Sequence, residues 1–351
     1  MLCFIYKVRV QVNDMFELKK ILKYRNTIMG IACIMIMVFH SNLPAFNTVF
    51  FKRYLYIGVD IFLFVSGIGI VQSLSKDNDI KAFYKRRFQR IIPYSIPLII
   101  TLGFLLFLYD KDFSVIDFYN HSFLISNLVP TGNYFAFLWY LPTILIYYLV
   151  SPFIFHYYKA RNNKTKATIV LLVFCFLLSI ITLPNGFLNY LSWITTRFLV
   201  YVIGMIFGFR IKCDKTIDLW ELLFYILLGL LSIVSLVYTM KHYFFFSDFF
   251  IKLCFIPLVI LFCIAIAYIK EYLSLKKFFI QGKIFDYIGN YTLIIYTSHE
   301  FFLYLFKSIS YHYDKGVRFV SNPYFYSLWV GIFTIVFSIA YSKAAQTILK
   351  D

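Results

Sequence analysis

Ten long apolar stretches, separated by charged segments, run through this sequence and constrain its fold more than any other feature. Most of them are long enough to cross roughly 30 Å of hydrocarbon as helices, which takes about 20 residues each. The sequence therefore predicts an all-α polytopic membrane protein with about ten transmembrane helices. The predicted spans are 27–44, 54–74, 91–109, 134–157, 167–183, 193–209, 219–239, 248–269, 284–306 and 325–342.

The composition excludes the usual soluble classes. Of the 351 residues, 61% are hydrophobic and only 15% are charged, whereas a soluble domain is about a quarter charged. A net charge of +17 would suggest a nucleic-acid partner in a soluble protein, but here the cations lie between membrane spans, so we expect none. The six cysteines are scattered without metal-binding spacing, so we expect no metal site.

The distribution of Lys and Arg sets the predicted orientation. If the N-terminus is cytoplasmic, 25 of the 34 Lys and Arg residues fall in inner segments and seven in outer loops. Such an excess is the positive-inside pattern of membrane proteins. Both termini are therefore predicted to be cytoplasmic.

The chain is predicted to form one membrane domain. Residues 1–26 are expected to be a cytoplasmic, amphipathic and basic segment, residues 27–347 a ten-helix membrane domain, and no soluble domain is expected. No signal-peptide pattern precedes the first span. The sequence leaves open whether translation starts at Met1 or at Met15.

Six ionisable side chains fall within the spans, where such groups are rare and mark functional sites by default. In the predicted orientation, five of them, His40, Asp60, Arg197, His299 and Glu300, lie in the outer half of their helices. Two interpretations stay open: one shared polar cavity, or separate roles in joining helices or in reaching the interface. The six are His40, Asp60, Arg197, Lys252, His299 and Glu300.

A basic segment, "FYKRRFQRIIPY", lies at the predicted inner face. Arg87 and Arg90 are three residues apart and share one face if the segment is helical. Guanidinium groups suit phosphates, so the segment predicts either a site for a nucleotide-like ligand or an ordinary positive-inside anchor.

Six motifs, in this order, resemble those of the acyltransferase-3 family of integral-membrane O-acyltransferases. They include a first helix ending in His and a basic segment followed by Pro. The motifs are "MGIACIMIMVFH" (29–40), "GVDIFLFVSG" (58–67), "FYKRRFQRIIP" (83–93), "LWYLPTILIYYLVSP" (138–152), "TRFLVYVIGMIFG" (196–208) and "GNYTLIIYTSH" (289–299).

The sequence departs from the family pattern at two places. The first-helix motif usually has Arg eleven residues before the His, where this chain has Met29; Arg25 lies one turn earlier. The fourth-helix motif often carries an acidic pair, where this chain has Ile144 and Leu145.

The resemblance implies a ten-helix enzyme of a bacterial-type cell membrane. It would move an acyl group, usually acetyl, from cytoplasmic acyl-coenzyme A to a hydroxyl of a surface or lipid-linked glycan. Acyl-coenzyme A would be a substrate, with no permanently bound cofactor. The expected partners are the donor, the glycan and membrane lipids.

The candidate residues fit that chemistry. Histidine is suited to remove a proton from a hydroxyl near neutrality, so His40 is the candidate base or transient acyl carrier, with Asp60 fixing its tautomer or stabilising its imidazolium. Arg87 and Arg90 would bind coenzyme A. Thirteen residues separate position 27 from His40, or roughly 20 Å, a distance that a pantetheine arm can span. Supporting roles are expected for Arg25, Ser66, Arg197 and His299, of which Arg197 or His299 could stabilise the oxyanion.

A glycan or glycan-lipid transporter without acyl transfer is the main alternative. Such proteins commonly show internal repeats around a site at the membrane midplane. This sequence has no such repeat, and its buried charges lie off-centre. The sequence therefore favours the acyltransferase.

Overall fold

The computed structural model describes residues 16–41, 43, 54–76, 79–109, 113–125, 136–182, 191–242, 247–275, 279–314 and 322–348. These residues contain thirteen α-helices, one short 3-10 helix at Ala136–Trp139 and two short strands. The helices are α1 (Lys19–Lys23), α2 (Arg25–His40), α3 (Ile57–Lys76), α4 (Ile80–Tyr109), α5 (Val115–Ser122), α6 (Tyr140–Ala160), α7 (Lys164–Ile181), α8 (Ser192–Lys212), α9 (Leu219–Lys241), α10 (Ser247–Leu275), α11 (Phe279–Asn290), α12 (Thr292–Asp314) and α13 (Pro323–Ile348).

Eight of these helices are long and apolar enough to cross a membrane, namely α3, α4, α6, α7, α8, α9, α10 and α13. The predicted all-α polytopic membrane fold is therefore confirmed. The first predicted span corresponds to α2, a shorter apolar helix of 16 residues that ends at His40. The cytoplasmic placement of the termini stays a prediction.

The structure divides the predicted span 284–306 into two helices, α11 and α12, which meet at Tyr291. The junction follows Gly289 and Asn290, both poor helix formers. Asn290 accepts a hydrogen bond from the Asn26 side chain at 2.7 Å. A Cβ at Gly289 would lie 2.0 Å from the Asn26 carbonyl oxygen. The sequence therefore breaks the helix where its backbone packs directly against α2.

Helices α3 and α8 form the centre of the molecule. Over an apolar stretch of 18 residues in each helix, 78% of the α3 residues and 83% of the α8 residues are buried. The corresponding share is 22% for both α7 and α9. Because α3 carries Asp60 and α8 carries Arg197, both of these charged residues lie in the protein interior rather than toward lipid.

Small residues allow α3 and α8 to approach closely, as is common between membrane helices. A Cβ at Gly67 would lie 2.3 Å from the Tyr201 carbonyl oxygen, and one at Gly204 would lie 2.2 Å from that of Phe64. Gly69, two residues from Gly67, has nothing within 4 Å of a Cβ. The glycines of this segment therefore differ in what they contribute to packing.

We expect Gly67→Ala to lower the stability of the protein while Gly69→Ala leaves it unchanged. The Gly67 methyl group would meet backbone atoms of α8, and such overpacking costs about 1–3 kcal/mol. Thermal unfolding of the purified variants in one detergent measures the effect. Equal midpoints for the two variants would contradict the close contact of α3 with α8.

The segment before α2 packs against the rest of the protein. Strand β1 (Phe16–Glu17) pairs antiparallel with β2 (Thr216–Ile217). The Glu17 N–H donates to the Tyr268 hydroxyl at 2.6 Å, and Lys23 Nζ pairs with Glu271 at 3.1 Å. Residues 16–24 of the predicted basic segment 1–26 thus form part of the fold. Its residues 1–15, with the alternative starts Met1 and Met15, lie outside the described residues.

Candidate active site

The first cluster of the site joins α2 to α12 through His40. His40 is the last residue of α2, and its Nδ1 contacts the carboxylate of Glu300 in α12. The two side chains are 21% and 10% exposed. The ring of His299, next to Glu300, lies with its centroid 5.0 Å from that of His40.

The contact with Glu300 defines what His40 can do. Because an ionised carboxylate only accepts hydrogen bonds, the contact with Glu300 places the proton of a neutral His40 ring on Nδ1 and the lone pair on Nε2. Both the carboxylate and the negative end of α2 stabilise an imidazolium formed when Nε2 takes up a proton. This arrangement would suit His40 to general-base chemistry with Glu300 as its positioning residue, by the same logic as in catalytic triads.

His299 has a defined tautomer as well. Its Nδ1 lies 2.6 Å from the Tyr296 carbonyl oxygen and 3.2 Å from that of Ile295. A carbonyl oxygen can only accept, so Nδ1 carries the proton and Nε2 is an acceptor. The residue is 2% exposed, and Nε2 has no hydrogen-bond partner among the described residues. His299 therefore presents a buried acceptor to whatever binds beside it.

The second cluster is a buried ion pair between α3 and α8. Arg197 Nε donates to Asp60 Oδ1 at 3.1 Å, and the two side chains are 0% and 2% exposed. The guanidinium lies 4.4 Å from the ring of Tyr56 and 4.6 Å from that of Trp139. Its two terminal nitrogens have no hydrogen-bond acceptor within the described part of the chain.

The structure assigns the carboxylates differently from the sequence interpretation. Asp60, predicted to fix the His40 tautomer, is paired with Arg197, whereas Glu300 contacts His40. Glu300 was visible in the sequence as an ionisable residue at membrane depth. Its partner was not, because sequence position gives the depth of a residue but not which neighbouring helix it faces.

The two clusters are neighbours. The Phe39 ring stacks on that of Tyr56 at 4.9 Å, and Tyr56 in turn lies against the Arg197 guanidinium. Phe39 directly precedes His40. The five residues predicted at one depth are therefore brought together as two adjacent polar groups bridged by aromatic rings. Lys252, predicted apart from them, donates to Thr196 at 3.1 Å.

A third group of cations lies at the other end of α2. A cavity of about 60 Å³ is lined by Arg25 from α2, Arg90 from α4, and Ser66 from α3. Arg87 lies beside it, 5.6 Å from the Tyr148 ring that also lines the cavity. The structure therefore brings together four of the residues predicted from the sequence.

Among the described residues, no carboxylate forms an ion pair with Arg25, Arg87 or Arg90. The Nε atoms of Arg25 and Arg87 are buried and have no hydrogen-bond partner in that part of the chain. Buried donors without acceptors are costly, so this end of α2 is suited to an anionic ligand.

Tyr296 links the arginine cavity to the histidines. It lines the cavity, and its ring lies 5.1 Å from that of Tyr140 and 5.7 Å from that of His299. One turn of α12 separates Tyr296 from His299. Tyr296 therefore lies between the arginine cavity and the histidine cluster.

A metal ion is a chemical alternative at the histidine cluster. The ligand atoms of His40, His299 and Glu300 all lie within 4.8 Å of one another, and two imidazoles with a carboxylate are a known catalytic zinc set. In the structure, however, two of these three possible ligands, His40 and Glu300, contact each other directly. That no metal is needed stays a prediction.

Comparison with known proteins identifies the family. No curated protein and no solved structure matches the chain. The family model described as an acyltransferase domain, of the acyltransferase-3 family, matches residues 26–343. This match covers nearly the whole chain and includes α3, α4, α8, α12 and all of α2 except Arg25; these helices carry the three clusters. The chain belongs to the acyltransferase-3 family, as its motifs indicated.

Proposed function

We propose that this integral membrane protein is an O-acyltransferase that takes an acyl group from cytoplasmic acyl-coenzyme A. Acetyl is the first candidate for the acyl group, and the acceptor is a hydroxyl of a surface or lipid-linked glycan. The observation that carries the proposal is the placement of a His–carboxylate pair and a cluster of arginines, which have no carboxylate partner among the described residues, at opposite ends of α2.

The spacing of these two sites matches the donor. Arg25 and His40 are the first and last residues of α2, which places them roughly 22 Å apart along the helix axis at about 1.5 Å per residue. The phosphates of coenzyme A would bind at the arginines, and the pantetheine arm would pass Tyr296 to bring the thioester to His40. The donor's arm, rather than the whole donor, would then cross the membrane.

The chemistry follows from the tautomers. His40 Nε2 takes the proton of the acceptor hydroxyl as its oxygen attacks the thioester carbonyl. The tetrahedral intermediate collapses with cleavage of the carbon–sulfur bond, and the coenzyme A thiolate takes the proton back from His40. A second route, in which His40 first carries the acyl group, uses the same atoms.

Arg197 and His299 take different supporting parts in this proposal. The developing oxyanion needs a donor, and Arg197 has two guanidinium nitrogens without acceptors among the described residues. The contact of His299 Nδ1 with the Tyr296 carbonyl oxygen makes Nε2 an acceptor, so His299 would orient the acceptor hydroxyl rather than stabilise the oxyanion. Of the two oxyanion candidates in the sequence, the geometry favours Arg197.

The direct test is turnover of radiolabelled acetyl-coenzyme A by the purified protein in nanodiscs. We expect release of free coenzyme A above that of empty nanodiscs, with the label transferred to water or to an added glycan. A protein that neither binds nor consumes acetyl-coenzyme A, nor other short acyl-coenzyme A donors, would contradict the proposal.

Replacing Arg87 or Arg90 with Gln is expected to raise the KM for acetyl-coenzyme A about tenfold or more with little change in kcat. Each change removes a charge-assisted hydrogen bond to phosphate, worth about 1.5–3 kcal/mol. Lys85→Gln, at an exposed position of the same helix, is the matched control. Initial-rate kinetics with 3′,5′-ADP as a competitive inhibitor should show a higher inhibition constant for the Arg variants but not for Lys85→Gln. Equal KM values across all variants would place the donor elsewhere.

A further inference from the structure

A groove of about 430 Å³ lies between α2, α12 and α13. Its walls are mainly aliphatic, including Ile34 and Met37 from α2 and Leu303 from α12. Leu328 and Ile332 of α13 border it and are 65% and 55% exposed. The groove therefore opens to the lipid-facing surface of the protein, and its walls suit a hydrocarbon chain.

Two buried polar atoms break this apolar lining. Both His299 and Ser327 line the groove, and both residues are at least nine-tenths buried. His299 Nε2 and Ser327 Oγ have no hydrogen-bond partner within the described residues. A bilayer lipid tail would leave both atoms unpaired at a cost, whereas a ligand that carries hydroxyl groups beside its chain would satisfy them.

The groove and the arginine cavity lie toward opposite ends of α2. The cavity contains Arg25 and Met29, whereas the groove runs from Ile34 to Ser41. Along α13 it reaches from Tyr324 to Ile335, or roughly 16 Å of helix, which is about half the hydrocarbon thickness. The groove thus spans one leaflet on the side away from the donor's phosphates, and it meets the site at His299.

We propose that this groove binds the single hydrocarbon chain of a lipid-linked acceptor and places its hydroxylated head group between His299 and His40. The inference rests on the proposed function, since it names the class of acceptor for the same reaction. The reacting hydroxyl would donate to His299 Nε2 before His40 takes its proton. The chain would account for the apolar walls, and the head group would account for the two unpaired polar atoms.

Gly331 offers a way to fill the groove without disturbing the fold. It lines the groove, and a Cβ there would meet only Met37 Cε at 3.7 Å, an ordinary contact. Gly331→Phe would place a ring in the groove, whereas Gly331→Ala would not. Val336→Phe adds the same ring to the lipid-exposed surface of α13 outside the groove, which makes it the matched control.

The test uses a long-chain alkyl glucoside with a diazirine in its chain, in nanodiscs that hold the protein. We expect saturable labelling of residues 324–335. Unlabelled long-chain alkyl glucoside should compete for it, and methyl glucoside should not. Gly331→Phe should reduce this labelling about tenfold or more, as expected when the bound chain loses its apolar contacts. Gly331→Ala and Val336→Phe should leave it unchanged.

Three results would overturn the inference. One is labelling that is non-saturable and shared with lipid-facing helices such as α7 and α9. Another is two-chain phospholipid competing for the labelling as well as the glucoside does. Competition by palmitoyl-coenzyme A instead of the glucoside would assign the groove to the donor's acyl chain.

Turnover of acetyl-coenzyme A is measured on the same samples. If the wild-type protein shows saturable labelling but no turnover, the proposed reaction is contradicted. If it shows turnover but no saturable labelling, the assignment of the groove to the acceptor chain is contradicted.

Discussion

His40→Ala is expected to lower acyl transfer by roughly 10²–10⁴-fold, the range supplied by general-base catalysis. His40 is the residue whose Nε2 lone pair is set by the contact of Nδ1 with Glu300 and supported by the C-terminal end of α2. Alanine removes the base and leaves the hydroxyl a weak nucleophile. The measurement is turnover of radiolabelled acetyl-coenzyme A in nanodiscs, corrected for the amount of folded protein.

The control for this experiment is another histidine. His156 is exposed on α6, away from the three clusters, so His156→Ala should retain full activity. Glu300→Gln keeps the shape of the carboxylate but removes its charge, and we expect an intermediate loss because the imidazolium is no longer stabilised. Full activity in His40→Ala at normal expression would refute the catalytic assignment.

The fate of the label separates the two routes left open for His40. In the direct route, the label appears only on water or glycan, and the protein stays unlabelled. In the covalent route, brief incubation without acceptor leaves label on wild-type protein, and His40→Ala abolishes it. Because both routes need the Nε2 lone pair, the loss of turnover in His40→Ala does not depend on which route holds.

The sequence predicted the helices better than it predicted their contacts. Long apolar runs set where helices lie, and eight of them meet the criteria for membrane spans. The break at Tyr291 was not predicted, although Gly289 and Asn290, both poor helix formers, directly precede it. The sequence does not distinguish Gly67 from Gly69, yet a Cβ at Gly67 would meet the backbone of α8 and one at Gly69 would meet nothing within 4 Å.

The candidate site shows the same limit. Depth in the membrane followed from helix order and predicted orientation, so His40, Asp60 and Arg197 were recognised as neighbours in depth. Their pairing depends on the rotation of each helix about its axis, which is fixed by packing such as that of Gly67 against α8. Arg25 was named only as a possible substitute for the family's arginine, yet it lines the same cavity as Arg90.

The second large prediction concerns the Asp60–Arg197 pair, for which we expect substitutions to affect stability and activity differently. Asp60→Asn leaves the Arg197 guanidinium buried without its counter-charge, and breaking a buried pair in this way costs about 3–5 kcal/mol. We expect a lower thermal midpoint in detergent and a reduced yield of folded protein. Glu17→Gln, which breaks the exposed contact with Lys19, should cost less than about 1 kcal/mol.

Replacing both partners distinguishes a structural pair from one that also acts in catalysis. The double variant Asp60→Leu/Arg197→Met removes both buried charges, and an apolar replacement of a buried pair is often neutral or stabilising. We therefore expect its thermal midpoint to recover toward that of the wild type. Its turnover of acetyl-coenzyme A should stay low, because Arg197 would no longer stabilise the oxyanion. Recovery of both properties would show that the pair only holds α3 against α8, and the oxyanion donor would then have to be sought elsewhere.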